Sequence, residues 1–214
     1  MKQWLTLVII SMLMLGGCSG VDKKKQGDNQ FQDTIALQDE FTREFIKSPK
    51  EVEDGYYLFE SKTGGYTMWF PVNANMDQSF YHRRDDKYEE INFGETIKSK
   101  NLEYFVVGRY EDKKSTKLID INLEMLAKSN GYEGNFEKYT LKDNTIYYAE
   151  KVEEINENQF IYVYFSYIVS NNTNKAISIT YSSTCSNKDS KCTLNRSVER
   201  EKAKKLFHSI KFVK

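Results

Sequence analysis

Gln159-Phe160-Ile161-Tyr162-Val163-Tyr164-Phe165-Ser166-Tyr167-Ile168-Val169 is the most strongly strand-forming stretch of the 214-residue chain. Aromatic and β-branched side chains dominate it, and these fit a pleated backbone best. Alternation puts Phe160, Tyr162, Tyr164 and Ile168 on one face and Ile161, Val163, Phe165, Tyr167 and Val169 on the other. Both faces are apolar, which predicts a central strand covered on both sides.

Working outward, Asn171-Asn172-Thr173-Asn174 is a turn, and Ala176–Ser183 pairs back with Ile177, Ile179 and Tyr181 inward. Upstream, Phe136–Leu141 and Thr145–Val152 flank Lys142-Asp143-Asn144, a hairpin signal. Glu153–Gln159 reads as a polar turn. Tyr88–Ile97 and Leu102–Tyr110 form another strand pair. In its second member Leu102, Tyr104, Val106 and Tyr110 alternate with Phe105 and Val107, so this strand too is predicted to be covered on both faces. Tyr56–Ser61 and Tyr66–Val72 enclose the turn Thr63-Gly64-Gly65. Tyr66, Met68, Phe70 and Val72 share one face of the second strand, and Pro71, which has no N–H for a ladder, marks its end. Met76–Tyr81 is expected to be irregular and to pack over the core.

Three segments carry helical spacing. Leu37, Phe41 and Phe45 predict a helix over Thr34–Ile46, capped by Asp33 or Thr34 and stopped at Ser48-Pro49. Ser115 is placed to cap a helix over Thr116–Ser129, with Ile119, Leu123 and Leu126 inward and Leu118, Ile121, Met125 and Ala127 on its flanks. Asn130-Gly131 supplies its left-handed stop. A last helix over Arg196–His208 is expected to bury Val198, Ala203, Leu206 and Phe207, before Ile210, Phe212 and Val213 close the chain as a strand. Helices must cover a sheet with apolar faces, so the fold class is α+β: an antiparallel sheet of about 6–8 strands covered by helices, an α/β/α sandwich.

Two stretches carry a resemblance. Gly65-Tyr66-Thr67-Met68-Trp69-Phe70-Pro71 resembles the early strand of the PsbP-like fold, which ends in Phe-Pro. Ala203-Lys204-Lys205-Leu206-Phe207-His208-Ser209-Ile210-Lys211-Phe212 resembles its final helix and Ser-Ile-x-Phe strand. That fold is named for the extrinsic P subunit of photosystem II and is shared with a nuclear-import factor that binds Ran. The likeness spans residues 55–213, although the tryptophan that often follows Phe-Pro is absent from Asn73–Asp77. It implies binding or docking rather than catalysis and carries no functional motif across.

The N-terminus decides where the protein works. Lys2 precedes the apolar run Trp4–Leu15, and Leu15-Gly16-Gly17-Cys18 follows. This resembles the lipobox of a bacterial lipoprotein signal peptide. A run of 12 residues is too short to span a bilayer, which needs about 20. Residues 1–17 are then a signal peptide, Cys18 the lipidated first residue, 18–30 a disordered tether and 31–214 a single α+β domain. The resemblance implies palmitate-type acylation of Cys18 and a place at the extracytoplasmic face of the cell membrane. Ser19–Gln30 has almost no apolar residues, and its Lys23-Lys24-Lys25 faces either solvent or anionic headgroups.

With Cys18 lipidated, Cys185 and Cys192 remain as a pair around a polar loop. An exported domain favours a disulfide there, closing a ring that contributes roughly 2–3 kcal/mol. Free thiols or a redox or metal site are the alternatives. Six intervening residues are too many for the usual redox spacing, and only His208 lies near enough in sequence to help ligate a metal.

The chain has 31 basic and 31 acidic residues, and losing Lys2 leaves 30 against 31. Such a balance suggests no nucleic-acid partner. The densest charge run, His82-Arg83-Arg84-Asp85-Asp86-Lys87, reads as a solvated hairpin tip rather than an anion site, because its signs cancel. Glu89-Glu90 and Glu153-Glu154 read as solvated faces. With two histidines and no nucleophile elbow, P-loop or metalloprotease motif, no catalytic residue, cofactor or metal is expected. Two functions are open: a non-enzymatic interaction module for an envelope protein, or a binder of a small apolar or aromatic ligand, for which 15 Tyr and 13 Phe are the motive.

Overall fold

The computed structural model of the protein describes residues 34–156, 159–186, 191, 192 and 194–213. The signal segment, Cys18 and the tether lie outside the described residues.

In chain order the elements are α1 (Ile35–Gln38), α2 (Glu40–Arg43), β1 (Tyr56–Glu60), β2 (Tyr66–Pro71), β3 (Asn75–Met76), β4 (His82–Arg84), β5 (Tyr88–Ile97), β6 (Leu102–Asp112), α3 (Ile119–Ser129), β7 (Glu137–Thr140), β8 (Asn144–Asn156), β9 (Gln159–Ser170), β10 (Lys175–Cys185), α4 (Arg196–Ser209) and β11 (Lys211–Phe212). An eight-stranded sheet has the order β3-β5-β6-β10-β9-β8-β7, with β4 also on β5. A second sheet of three strands, β1-β2-β11, lies over its inner face. Every pairing is antiparallel. The fold is therefore α+β, a large antiparallel sheet with helices.

The main core fills the space between the sheets and α4. Phe59, Tyr66 and Phe70 of the small sheet meet Ile91, Phe93, Tyr104, Val106 and Tyr110 of the large one. Aromatic rings supply much of it: Phe45 stacks on Phe59 at 5.2 Å, and Phe70 lies 4.8 Å from Phe93. A smaller core on the outer face packs Phe165, Val163 and Tyr167 of β9 under Leu126 and Leu123 of α3. The strand quoted first is thus covered on both faces as its composition predicts, buried without a break from Val163 to Ser170.

Four local expectations are corrected. The helix over Thr34–Ile46 is broken at Asp39, whose backbone is extended and whose carboxylate caps the second turn at Thr42 N–H, 2.7 Å away. A side chain that satisfies an orphan N–H so well starts a new helix rather than continuing one. Ser115 is not an N-cap. Residues 114–117 form a 3-10 turn in which the buried Thr116 hydroxyl bonds Lys113 O and Asn174 O, and α3 begins only at Ile119. Its end is as predicted: Gly131 has φ +56°, and Tyr132 N–H reaches back to Ala127 O at 2.9 Å. In α4 Val198 is exposed and Glu199 is buried in its place. The expected polar turn over Glu153–Gln159 is mostly strand, since β8 runs on to Asn156.

Cys185 and Cys192 are disulfide-bonded, with Cα atoms 5.8 Å apart. The clip joins the end of β10 to the segment entering α4.

Candidate functional site

The outer face of the large sheet is only half covered. Among the described residues its single helix is α3, which lies over β9, and β6 lies two strands away across β10. Phe105 is 55 % exposed and Val107 41 %, so the second face of β6 is open rather than covered as its alternation predicts. The register explains the relief of this surface. Phe105 stands between Gly94 and Ser182, and Val107 between Asn92 and Thr180. Two large apolar side chains thus rise from a floor of small and polar ones.

α3 turns a second apolar stripe toward the same surface. Leu118, Ile121 and Met125 are exposed, spaced so that they share one helix face. With Ser178 and Arg109 they wall a hollow of about 300 Å³ between α3 and the sheet. On the far side of the Phe105 ridge, Phe80, Asn92 and Gly94 border a second hollow of about 420 Å³. Charges on the α3 side are matched within the chain: Arg109 lies 3.6 Å from Glu90, Lys113 2.5 Å from Glu111, and Lys128 2.6 Å from Glu124.

A second concavity opens on the inner face, at the mouth between the two sheets and α4. It holds about 270 Å³, and Tyr56, Tyr104, Tyr181, Glu95, Lys202 and Leu206 are among its walls. The Tyr104 and Tyr181 rings stack at 5.1 Å. Tyr181 Oη donates to Glu199 Oε2 at 2.6 Å, and Lys202 Nζ donates to Glu199 Oε1 at 2.8 Å, so the buried carboxylate is fully engaged. Burial first, and then the adjacent carboxylates (Glu199 for Tyr181, Glu95 for Tyr104), push both phenols up. Most of the aromatic side chains expected as candidates for ligand contact fill the core instead.

A third cluster is wholly internal. Glu89 is 0 % exposed, against the expectation of a solvated Glu89-Glu90 face. It shares the inner face of β5 with Ile91 and Phe93, a parity visible in the sequence. Its Oε1 accepts from Lys62 N–H at 2.9 Å and from Tyr81 Oη at 3.1 Å. Glu89 Oε2, Tyr66 Oη and Tyr110 Oη have no hydrogen-bond partner among the described residues.

The charge run His82–Lys87 is an exposed hairpin tip turned at Asp85, φ +52°, as predicted. His208 sits at the end of α4 with Nδ1 2.7 Å from Lys204 O. Among the described residues no group of three or more His, Cys, Asp or Glu is placed to hold a metal ion, and no helix is long and apolar enough to cross a membrane.

Comparison with known proteins adds the lineage. A relative, the "Putative lipoprotein YvcA" of Bacillus subtilis (strain 168), is 29 % identical in an alignment covering 100 % of this chain and 98 % of its own. A family model described by the same words, "Putative lipoprotein YvcA", matches residues 32–211, almost the whole of the folded domain. The chain belongs to this YvcA lipoprotein family.

Proposed function

We propose that this protein is a non-enzymatic docking module, held at the extracytoplasmic face of the cell membrane by acylated Cys18, whose open sheet face receives an amphipathic helix of an envelope protein. The half-covered outer face carries this reading. Strands lie about 4.8 Å apart, so β6 is displaced from β9 by about 10 Å. Packed helices sit 8–10 Å apart, on the order of that same displacement. A helix laid over β6 would therefore lie beside α3 at ordinary packing distance. It would rest on Phe105 and Val107 and meet Leu118, Ile121 and Met125 from the side. Because the charges on the α3 side are already matched, the contact there would be driven by apolar burial, with each fully buried Phe, Met or Ile contributing about 1.5–3 kcal/mol. Lipoprotein family membership and the lipobox support the anchoring.

The test is photo-crosslinking in intact cells, with the reactive residue placed at Phe105, at Met125 and, as a control, at Lys47. The supporting result is one envelope protein captured from both 105 and 125, through a segment of amphipathic helix, absent from the control and lost in the Ile121→Asp chain. Adducts only with lipid, only with other copies of the chain, or with nothing would overturn the proposal.

A further inference from the structure

The inner cleft carries a separate inference, on the opposite face of the sheet from the docking surface. Tyr56 comes from β1, Glu95 from β5, Tyr104 from β6, Tyr181 from β10 and Lys202 from α4, so five elements converge on one opening. Its volume of about 270 Å³ lies at the small end of ligand sites, which start near 300 Å³. That is room for one ring or a short chain, not a peptide.

The chemistry of the walls is specific. Tyr56 already receives an ammonium, that of Lys205, 4.6 Å over its ring, and Tyr104 and Tyr181, stacked on each other, present further π surface, whose negative faces attract cations. One carboxylate, Glu95, lines the walls; a second, Glu199, is bonded to two wall residues, Tyr181 and Lys202. Glu199 is 2 % exposed and already holds an ammonium, that of Lys202. Glu95 is half-buried at the cleft and has no ion-pair partner among the described residues. Lys100, on the same rim, is engaged in an interaction of its own. Burial, followed by the charges of Glu199, Glu53 and Glu95, raises the Tyr56 phenol.

We propose that this cleft binds a small organic ammonium ion, whose hydrocarbon or aromatic body lies against Tyr56, Tyr104 and Tyr181 and whose nitrogen faces Glu95. Lys202 on Glu199 is an ammonium–carboxylate pair of the same kind within the chain. The apolar part of the lining, Val72, Ile97 and Leu206, selects an amine with carbon bulk over a bare inorganic cation.

Trp69 supplies the readout. Its ring centroid lies 6.0 Å from that of Tyr56, and Trp4 is the only other tryptophan of the chain. The full chain carrying Trp4→Phe, in detergent, is titrated with three probes of one shape: 2-phenylethylammonium, 2-phenylethanol and 3-phenylpropionate. The ammonium is expected to bind about tenfold tighter than the alcohol, equivalent to about 1.4 kcal/mol, with the carboxylate weakest. Glu95→Gln is expected to erase the preference for the ammonium and leave the alcohol unchanged. Tyr56→Leu, at a half-exposed position, is expected to weaken all three. Ile121→Asp, on the docking face, is expected to change none, so the two proposals fail separately. Equal affinity for the three probes, no saturable response with any of them up to about 10 mM, or a preference that survives Glu95→Gln would each overturn the assignment.

Discussion

The hydroxyl of Tyr110 stands where a side chain on Gly65 would begin. A Cβ at residue 65 would lie 2.1 Å from Tyr110 Oη and 2.3 Å from its Cζ. Both residues are buried, and the Tyr110 ring is held against Tyr66 at 5.2 Å, so the phenol has little room to retreat. Gly65→Ala should therefore act as overpacking and cost about 3 kcal/mol. Urea denaturation checks this. In the double variant with Tyr110→Leu the clash is relieved, and the measured loss should fall short of the sum of the two single losses.

The buried carboxylate of Glu89 serves two donors, Lys62 N–H and Tyr81 Oη, through one oxygen. Glu89→Ala strands both and opens a void, which should destabilise by about 3 kcal/mol. Glu89→Gln keeps an acceptor in place and should cost about 1 kcal/mol. A ranking in which Gln is as damaging as Ala would show that the negative charge, and not the acceptor geometry, is what the cluster requires.

On the surface beside α4, Glu150 is gripped by arginine. Arg200 donates from Nε at 2.6 Å and Nη2 at 2.5 Å, Arg196 from Nη2 at 2.8 Å, and Tyr148 Oη at 2.6 Å. These hydrogen bonds, that of Arg200 foremost, lower the carboxyl from its ordinary 4.5 to about 2. A depressed folded value means the unfolded chain takes up the proton first. The stabilisation is complete above pH 4.5 and is lost as pH falls through about 2. Solvent screens this partly exposed network, so the contribution at neutral pH is about 1 kcal/mol. Denaturation midpoints of the parent and Glu150→Gln chains should differ at pH 7 and converge near the lower limit.

The proposed lipidation of Cys18 is tested by removing its thiol. The Cys18→Ser chain is expected to take up no label from radioactive palmitate and to leave the membrane fraction. Retention in that fraction without label would place the anchor elsewhere.

How much of this was legible in the residues varied with how local the cause was. β9 could be read because its composition alone demands cover on both faces. Gly131 could be read because a left-handed stop needs a residue without Cβ. The exposure of Phe105 and Val107 could not, because their alternation says nothing of how many helices the chain can lay over the sheet. The three-stranded sheet was likewise hidden, since β11 reaches β2 from the far end of the chain. Val198 reads as core in place of Glu199 where side-chain hydrophobicity is weighed above helical phase. Lys202 and Tyr181 then made burial of the carboxylate tolerable. Glu89 shares its parity with the buried Ile91 and Phe93, but its charge argues for solvent and hides that parity. None of the three hollows is placed by sequence, because their walls come together only when the strands pair.

The chain's first described residues are tied to the small sheet. Ala36 N–H bonds Val72 O, Lys47 N–H bonds Leu58 O, and Glu60 N–H bonds Phe45 O. Thr42 Oγ1 accepts from Met76 N–H of β3 at 2.8 Å as well, so a pull arriving from the membrane side through Thr34 is delivered to β1 and β2 and reaches the eight-stranded sheet only at its β3 edge. Under tension the three-stranded sheet is the mechanical fuse. It would peel first, while Phe105, Val107 and the α3 stripe stay mounted on strands outside the line of force.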